Sequence, residues 1–290
     1  MILAAVAWLV MALVYARVAL SAPVVTGEWR SIAQEQAQPA CPDVAPDPQL
    51  AGTPVQVLVL GDSISAGLEA DLCGWQQALG ERLTLAGVPH VITTFAVSGS
   101  ACSYWPSRMA SVLSQVTPDL AYVYCGTGDD PAAQCYGEPC TSWAFRSIVE
   151  AIHLARTPAP LVVPALVGYS DATMVPGWLL DQEATANDRL ASQFQWYVPP
   201  RFSPSWFAGL LDVQRMPGTA QYLAGDQCDP ASGICGVHPN QDGQDTIGRL
   251  AYDAAATAMG WPDAGTWGEA PLCGLSGHRP GAPRPVYVAC

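Results

Sequence analysis

The chain contains no lysine; all twelve of its basic residues are arginines, which we read as coding bias from a GC-rich genome. Charge of either sign is sparse, at 13% of 290 residues, and it is lopsided: 25 acidic side chains leave a net charge of -13. A surface so short of cations repels phosphate backbones, so no nucleic-acid partner is expected. Half of the residues are apolar, which excludes a disordered chain and supplies one sizeable core. Zinc-type CxxC spacing is missing. Cys228, Cys235 and His238 come nearest to a metal set and are too sparse for one, so no metal site is expected. There is no internal repeat.

Cysteine, by contrast, is plentiful. Ten residues, an even number without metal spacing, point to disulfides and so to an oxidising, extracytoplasmic compartment. Residues 1–25 (MILAAVAWLVMALVYARVALSAPVV) are apolar apart from Arg17, long enough for a signal segment or a membrane anchor. No positive charge precedes this run, and Pro23 follows the candidate cleavage site Leu20-Ser21-Ala22. Arg17 and Arg30 alone would place the rest of the chain in the cytoplasm. The cysteines argue the opposite and outweigh two arginines. Residues 26–54 are rich in Pro, Ala, Gln and Asp and read as a tether.

From Val55 to Pro262 strand-like and helix-like segments alternate. Val55 to Leu60, Val91 to Val97, Leu120 to Tyr124 and Leu161 to Val167 are short apolar β runs. Between and after them, Trp75/Leu79/Leu83, Met109/Val112/Leu113/Val116, Phe145/Ile148/Val149/Ile152 and Ile247/Leu250/Ala251/Ala254 recur at helical spacing. This alternation predicts a three-layer α/β/α domain with a mainly parallel central sheet. The stretch from Tyr169 to Gly225 is less regular and is expected to hold an insertion. Residues 263–290 form a Gly/Pro-rich tail. Ligands of such sheets bind outside the carboxyl ends of the strands. There stand Gly61-Asp62-Ser63, Ser98-Gly99-Ser100 and Gly126-Thr127-Gly128-Asp129, with His238 just before the last helix. A serine, two glycine turns and a histidine at one edge supply a nucleophile, an oxyanion cradle and a base.

The pattern resembles the SGNH (GDSL-type) hydrolase family. LVLGDSISAGL is similar to its first block, Gly99 falls at its second-block glycine, DLAYVYCGTGDD aligns with its third block, and GVHPNQDG with its last. The resemblance implies an SGNH/flavodoxin-like fold over roughly Val55 to Gly260, with Ser63 as nucleophile, His238 as base, and backbone N–H groups of Ser63, Gly99 and Gly128 around the oxyanion. Two departures stand out. Gly128 replaces the third-block Asn, and Cys235 replaces the Asp often found three residues before the histidine. The Cys235 carbonyl, Asp226 or Asp229 would then orient His238. Asp62 reads as a cap on the following turn, and Asp129 as a turn residue. Tyr104 and Trp105 stand where they could line an acyl or sugar pocket, though packing under a loop is the commoner fate of such a tryptophan. His90, His153 and His278 show no partner in the sequence.

Among the cysteines, Cys135–Cys140, Cys228–Cys235 and Cys273–Cys290 are the close pairs. Cys73–Cys102 is expected beside the active edge, a pattern similar to bridges in secreted members of the family. Cys41 and Cys125 pair by elimination. The expected activity is hydrolysis of acyl or acetyl esters of carbohydrate or lipid by a membrane-tethered or secreted enzyme. Two alternatives stay open: an O-acyltransferase using the same site, and a non-catalytic module that binds carbohydrate or lipid. A purely structural, disulfide-stapled surface protein would leave the four ordered blocks unexplained.

Overall fold

A computed structural model of the chain describes residues 52–67, 74–130, 132–166, 168, 177–195, 204–213 and 237–262. The apolar segment 1–25, the tether up to Ala51, the tail, His278, and Cys41, Cys73, Cys228, Cys235, Cys273 and Cys290 lie outside those residues.

Five strands form one parallel sheet: β1 (Val55–Gly61), β2 (His90–Ala96), β3 (Leu120–Val123), β6 (Leu161–Leu166) and β7 (Leu211–Asp212), in the order β2-β1-β3-β6-β7. Counting sheet strands alone, this is the 2-1-3-4-5 order, whose direction of growth reverses at β1. The register pairs Val59 with Thr94 on one side and with Tyr122 on the other. Side chains of a strand alternate between faces, and here both faces are apolar. Val57 and Val59 point to one layer, with Trp75, Leu79, Leu83, Ile247, Ala251 and Ala255. Leu58 and Leu60 point to the other, with Met109, Val112, Phe145, Ile148 and Val149. The first layer is built by helices α1 (Trp75–Leu85) and α5 (Gln241–Met259). The second contains α2 (Met109–Gln115), α3 (Cys140–His153) and Leu190 of α4 (Gly177–Gln195). The chain is therefore an α/β protein with helices on both faces of a parallel sheet.

Helix α4 lies inside the stretch that reads as irregular in sequence. Its inward residues are Glu183, Ala186, Asn187 and Leu190, at i, i+3, i+4 and i+7. Two of those four are polar, so the helix has no continuous apolar stripe to announce it. A two-stranded antiparallel hairpin, β4 (Gln134–Cys135) with β5 (Glu138–Pro139), is also invisible to periodicity because it is so short.

Two disulfides form among the described residues, Cys135–Cys140 and Cys102–Cys125. The second corrects the expectation for Cys102, which does not bond Cys73, and for Cys125, which is unavailable to Cys41. The reason is the path of the chain after β2. Val97 N–H donates to Gly61 O at 3.2 Å, and Cys102 N–H donates to Asp129 Oδ1 at 2.9 Å. The segment thus folds across the end of β1 onto the end of β3, where Cys125 stands. His90 and His153 also acquire neighbours. His90 is buried with Nδ1 2.9 Å from Val88 O, and the His153 ring stacks on Trp206 with centroids 3.4 Å apart. Burial lowers the His153 pKa from its ordinary value.

Helices α1 and α5 approach each other closely at Gly248. A Cβ there would lie 2.6 Å from Ala78 Cβ, 2.6 Å from Trp75 O and 2.9 Å from Leu79 N. Alanine normally gains up to about 1 kcal/mol over glycine within a helix. Gly248→Ala should nonetheless lower the free energy of urea unfolding, because overpacking against backbone costs about 1–3 kcal/mol. A variant as stable as the parent would mean that the two helices can part without cost.

Candidate active site

Strand β1 is apolar up to Leu60 and then meets Gly61, where the chain must turn. Ser65 folds back against this glycine so closely that a Cβ on residue 61 would lie 2.1 Å from Ser65 Oγ. The turn that follows is hydrogen-bonded to itself. Ala66 N–H donates to Asp62 O at 2.9 Å, and Ile64 N–H donates to Asp62 Oδ1 at 3.0 Å, so the carboxylate caps the turn. Ser63 is carried on it at 8% exposure.

The turn is clamped from outside by polar side chains of α1 and α5. Gln76 Nε2 donates to Ser65 O at 2.8 Å, and Trp75 Nε1 donates to Ser65 Oγ at 3.2 Å. Gln244, fully buried on α5, donates from Nε2 to Ile64 O at 3.1 Å and accepts from Trp75 N–H at 2.8 Å through Oε1. Sequence reading missed this residue. The available signal was its register: Gln244, Ile247, Gly248 and Ala251 all lie on the buried face of α5, and a glutamine on such a face must find partners.

His238 enters from the start of the same helix. Asn240 caps α5, its side chain accepting from Gly243 N–H at 3.0 Å, and His238 stands two residues ahead of the cap. Its Nε2 lies 2.9 Å from Ser63 Oγ. Acceptance of the Ser63 proton at Nε2 requires the ring hydrogen on Nδ1. Cys235, Asp226 and Asp229, the residues expected to hold that Nδ1, lie outside the described residues.

The second glycine turn packs on the end of β1, and the third packs on the second. Gly99 has φ +72°, and Ser100 Oγ donates to Gly61 O at 3.4 Å. A Cβ on Gly128 would stand 3.3 Å from Ser100 O and 3.4 Å from Gly99 O, so the third turn rests on the second. Gly128 offers a backbone N–H and no side-chain donor. Asp129, read from sequence as a turn residue, ties the third turn to Cys102. Gln182 of α4 adds a donation from Nε2 to Asp129 O at 2.6 Å. Trp105 is buried in the second core layer, and Tyr104 packs edge-on against it with the Arg108 guanidinium over its ring at 3.6 Å. Among the described residues no cluster of His, Cys, Asp and Glu could hold a metal ion.

Burial raises the Asp62 pKa from 3.8 to about 6, against the opposing pull of the Ile64 N–H and the Thr127 hydroxyl. Burial also raises Asp129, opposed by hydrogen bonds from Thr141 and Cys102.

The model of the GDSL-like lipase/acylhydrolase family matches residues 59–246, well over half of the chain. Several solved structures are similar at low identity. The psychrotrophic esterase EstA from Pseudoalteromonas sp. is 14% identical with a TM-score of 0.48, covering 71% of this chain and 98% of its own. The Clostridium thermocellum family 3 carbohydrate esterase is 14% identical with a TM-score of 0.48, covering 71% and 97%. The lipase/acylhydrolase from Enterococcus faecalis is 17% identical with a TM-score of 0.46, covering 68% and 93%. No curated protein matches the chain.

Two variants test this architecture. Gln244→Ala leaves Trp75 N–H without its partner in a dry interior and removes one of the two donors to Ile64 C=O, which keeps Gly67 N–H, at a cost of about 1–3 kcal/mol. It should lower both the urea midpoint and the turnover of any ester the parent cleaves; unchanged values would remove Gln244 from the support of the turn. For Asp62 the folded pKa lies above the unfolded one. Its proton therefore stabilises the fold below about pH 4, and that contribution is lost as pH rises through about 6. Relative to Asp62→Asn, the parent should lose up to about 3 kcal/mol of stability between pH 4 and pH 7. Parallel pH profiles for the two proteins would show that Asp62 ionises as readily folded as unfolded.

Proposed function

Because the chain belongs to the GDSL-like lipase/acylhydrolase family, and is thus a hydrolase of the esterase/lipase type, we propose that Ser63 is its nucleophile and His238 its base, and that it cleaves acyl or acetyl esters of carbohydrate or lipid outside the cytoplasm. The observation that carries this reading is the 2.9 Å contact between Ser63 Oγ and His238 Nε2 at the carboxyl edge of the sheet. His238 takes the hydroxyl proton as Oγ attacks the ester carbonyl, then returns it to the departing alcohol. Water, deprotonated by the same imidazole, releases the acid from the acyl enzyme. The developing oxyanion is met by backbone N–H groups of Ser63, Gly99 and Gly128. A single such donor is worth about 10²–10³ in rate, so the missing side-chain amide at Gly128 sets a weaker cradle. No metal or organic cofactor enters the scheme.

The extracytoplasmic assignment is supported by ten cysteines, two disulfides among the described residues, and the apolar segment 1–25, which would supply a signal or an anchor. Transfer of the acyl group to a sugar hydroxyl instead of water uses the same atoms, and an added glycan acceptor separates the two outcomes. Gly128 and Cys235, where the family's blocks usually carry Asn and often Asp, favour a binding module without turnover.

A fluorophosphonate serine probe tests the assignment. The parent should be labelled, Ser63→Ala should not, and His238→Ala should react at least about a hundredfold more slowly. Equal labelling of parent and Ser63→Ala would remove Ser63 from the mechanism.

A further inference from the structure

We propose that Tyr136, backed by Trp143, is a stacking platform for a neutral pyranose ring, placed on the active edge so that a glycan carrying the ester is held beside Ser63. The proposal rests on the ester-hydrolase reading and narrows its substrate class to esters of carbohydrate.

The platform is the tip of the β4–β5 hairpin. Its two-residue turn is Tyr136-Gly137, with φ of +55° and +86°. Turns with both residues at positive φ are normally built from Asn-Gly or Asp-Gly, and a bulky aromatic is disfavoured at the first position. Burial does not repay this conformation, because Tyr136 is 78% exposed. A lone exposed aromatic needs no explanation. This one is different in its supports. The hairpin beneath it is closed by Cys135–Cys140, by Cys140 N–H donating to Ala133 O at 3.1 Å, and by a two-point ion pair between Arg146 and Glu138. Trp143 stands 5.0 Å from the Tyr136 ring at 44°. A disfavoured turn, braced on several sides, holds an aromatic ring out in water.

Topology puts that ring on the catalytic edge. The hairpin follows the third glycine turn directly, and α3 starts from it to run back along the sheet. Trp143 is in the first turn of α3 and packs against the layer that contains Cys102 and Trp105, the residues just after Gly99 and Ser100. The platform and Ser63 are therefore presented by loops of the same edge.

The geometry selects among ester classes. An acyl chain is best held by a channel that encloses it, whereas a pyranose has apolar C–H faces that stack on one open aromatic ring and hydroxyls that remain in water. Glu138 of the hairpin is neutralised by Arg146 of α3, and the chain as a whole is acidic, so a neutral sugar fits better than an anionic one.

Calorimetric titration of the Ser63→Ala protein with neutral hexasaccharides of the cello, xylo, manno, malto and N-acetylchito series tests the platform without turnover. Saturable binding of at least one is expected. Adding Tyr136→Ala should weaken it at least fivefold, and Tyr136→Phe should stay within twofold. Tyr136→Gly, which relaxes the backbone, should weaken it equally without lowering Tm. Binding of none of them, or binding that Tyr136→Ala leaves unchanged, overturns the proposal. On the wild-type background, Tyr136→Ala should raise KM for the chemically acetylated form of the bound sugar at least fivefold and leave kcat/KM for 4-nitrophenyl acetate within twofold. The two readings fail separately. Tyr136-dependent sugar binding by a protein that hydrolyses neither ester keeps the platform and sinks the hydrolase. Hydrolysis of 4-nitrophenyl acetate without such binding does the reverse.

Discussion

The close approach of Ser65 to Gly61 is the constraint on which the site depends. No side chain larger than hydrogen fits where β1 ends, because Ser65 already occupies that space. The chain can therefore turn at once into a capped loop, and Ser63 is lifted out at the edge of the sheet instead of continuing the strand. Everything that touches the loop then acts to hold it. Gln76 and Trp75 fix Ser65 from α1, and Gln244 fixes Ile64 from α5. Since α5 also begins three residues after His238, one glutamine links the element that follows the imidazole to the turn that bears the hydroxyl. Their 2.9 Å separation is a property of helix docking as much as of the two residues themselves.

The other side of the site is built differently. The segments after β2 and β3 hold each other through Cys102–Cys125, through Cys102 N–H on Asp129, and through the contact of Gly128 with the carbonyls of Gly99 and Ser100. Backbone groups dominate here, and the space of the missing third-block side chain is partly closed by carbonyl oxygens. Loss of an amide donor at residue 128 is thus accompanied by tight loop packing, and the cradle it leaves is made of main chain.

Much of this was legible in the amino-acid order. Four apolar β runs and the helices around Trp75, Phe145 and Ile247 show clean periodicity because each is buried on one or both faces by side chains alone. The blocks around Ser63, Gly99, Gly128 and His238 could be read because they are short and follow strands. Helix α4 escaped notice because Glu183 and Asn187 replace apolar residues on its inward face. The partner of Cys102 escaped because pairing depends on how the loop after β2 crosses the sheet end, which no local spacing encodes. Gln244 escaped for a related reason: polar residues are ordinary in the first turn of a helix, and only its two distant partners make it structural.

The contact at Gly248 brings α5 onto the α1 backbone at Trp75 and Leu79, with the Ala78 methyl beside it. Such an interface has no half-open state, since separating it exposes Ala78, Ile247 and Ala251 at the same time. The serine loop and the histidine segment are fastened to these two helices. Amide hydrogens of α1 and α5 should then exchange with solvent in one cooperative event, and heat inactivation should coincide with global unfolding, with no earlier loosening of the catalytic pair.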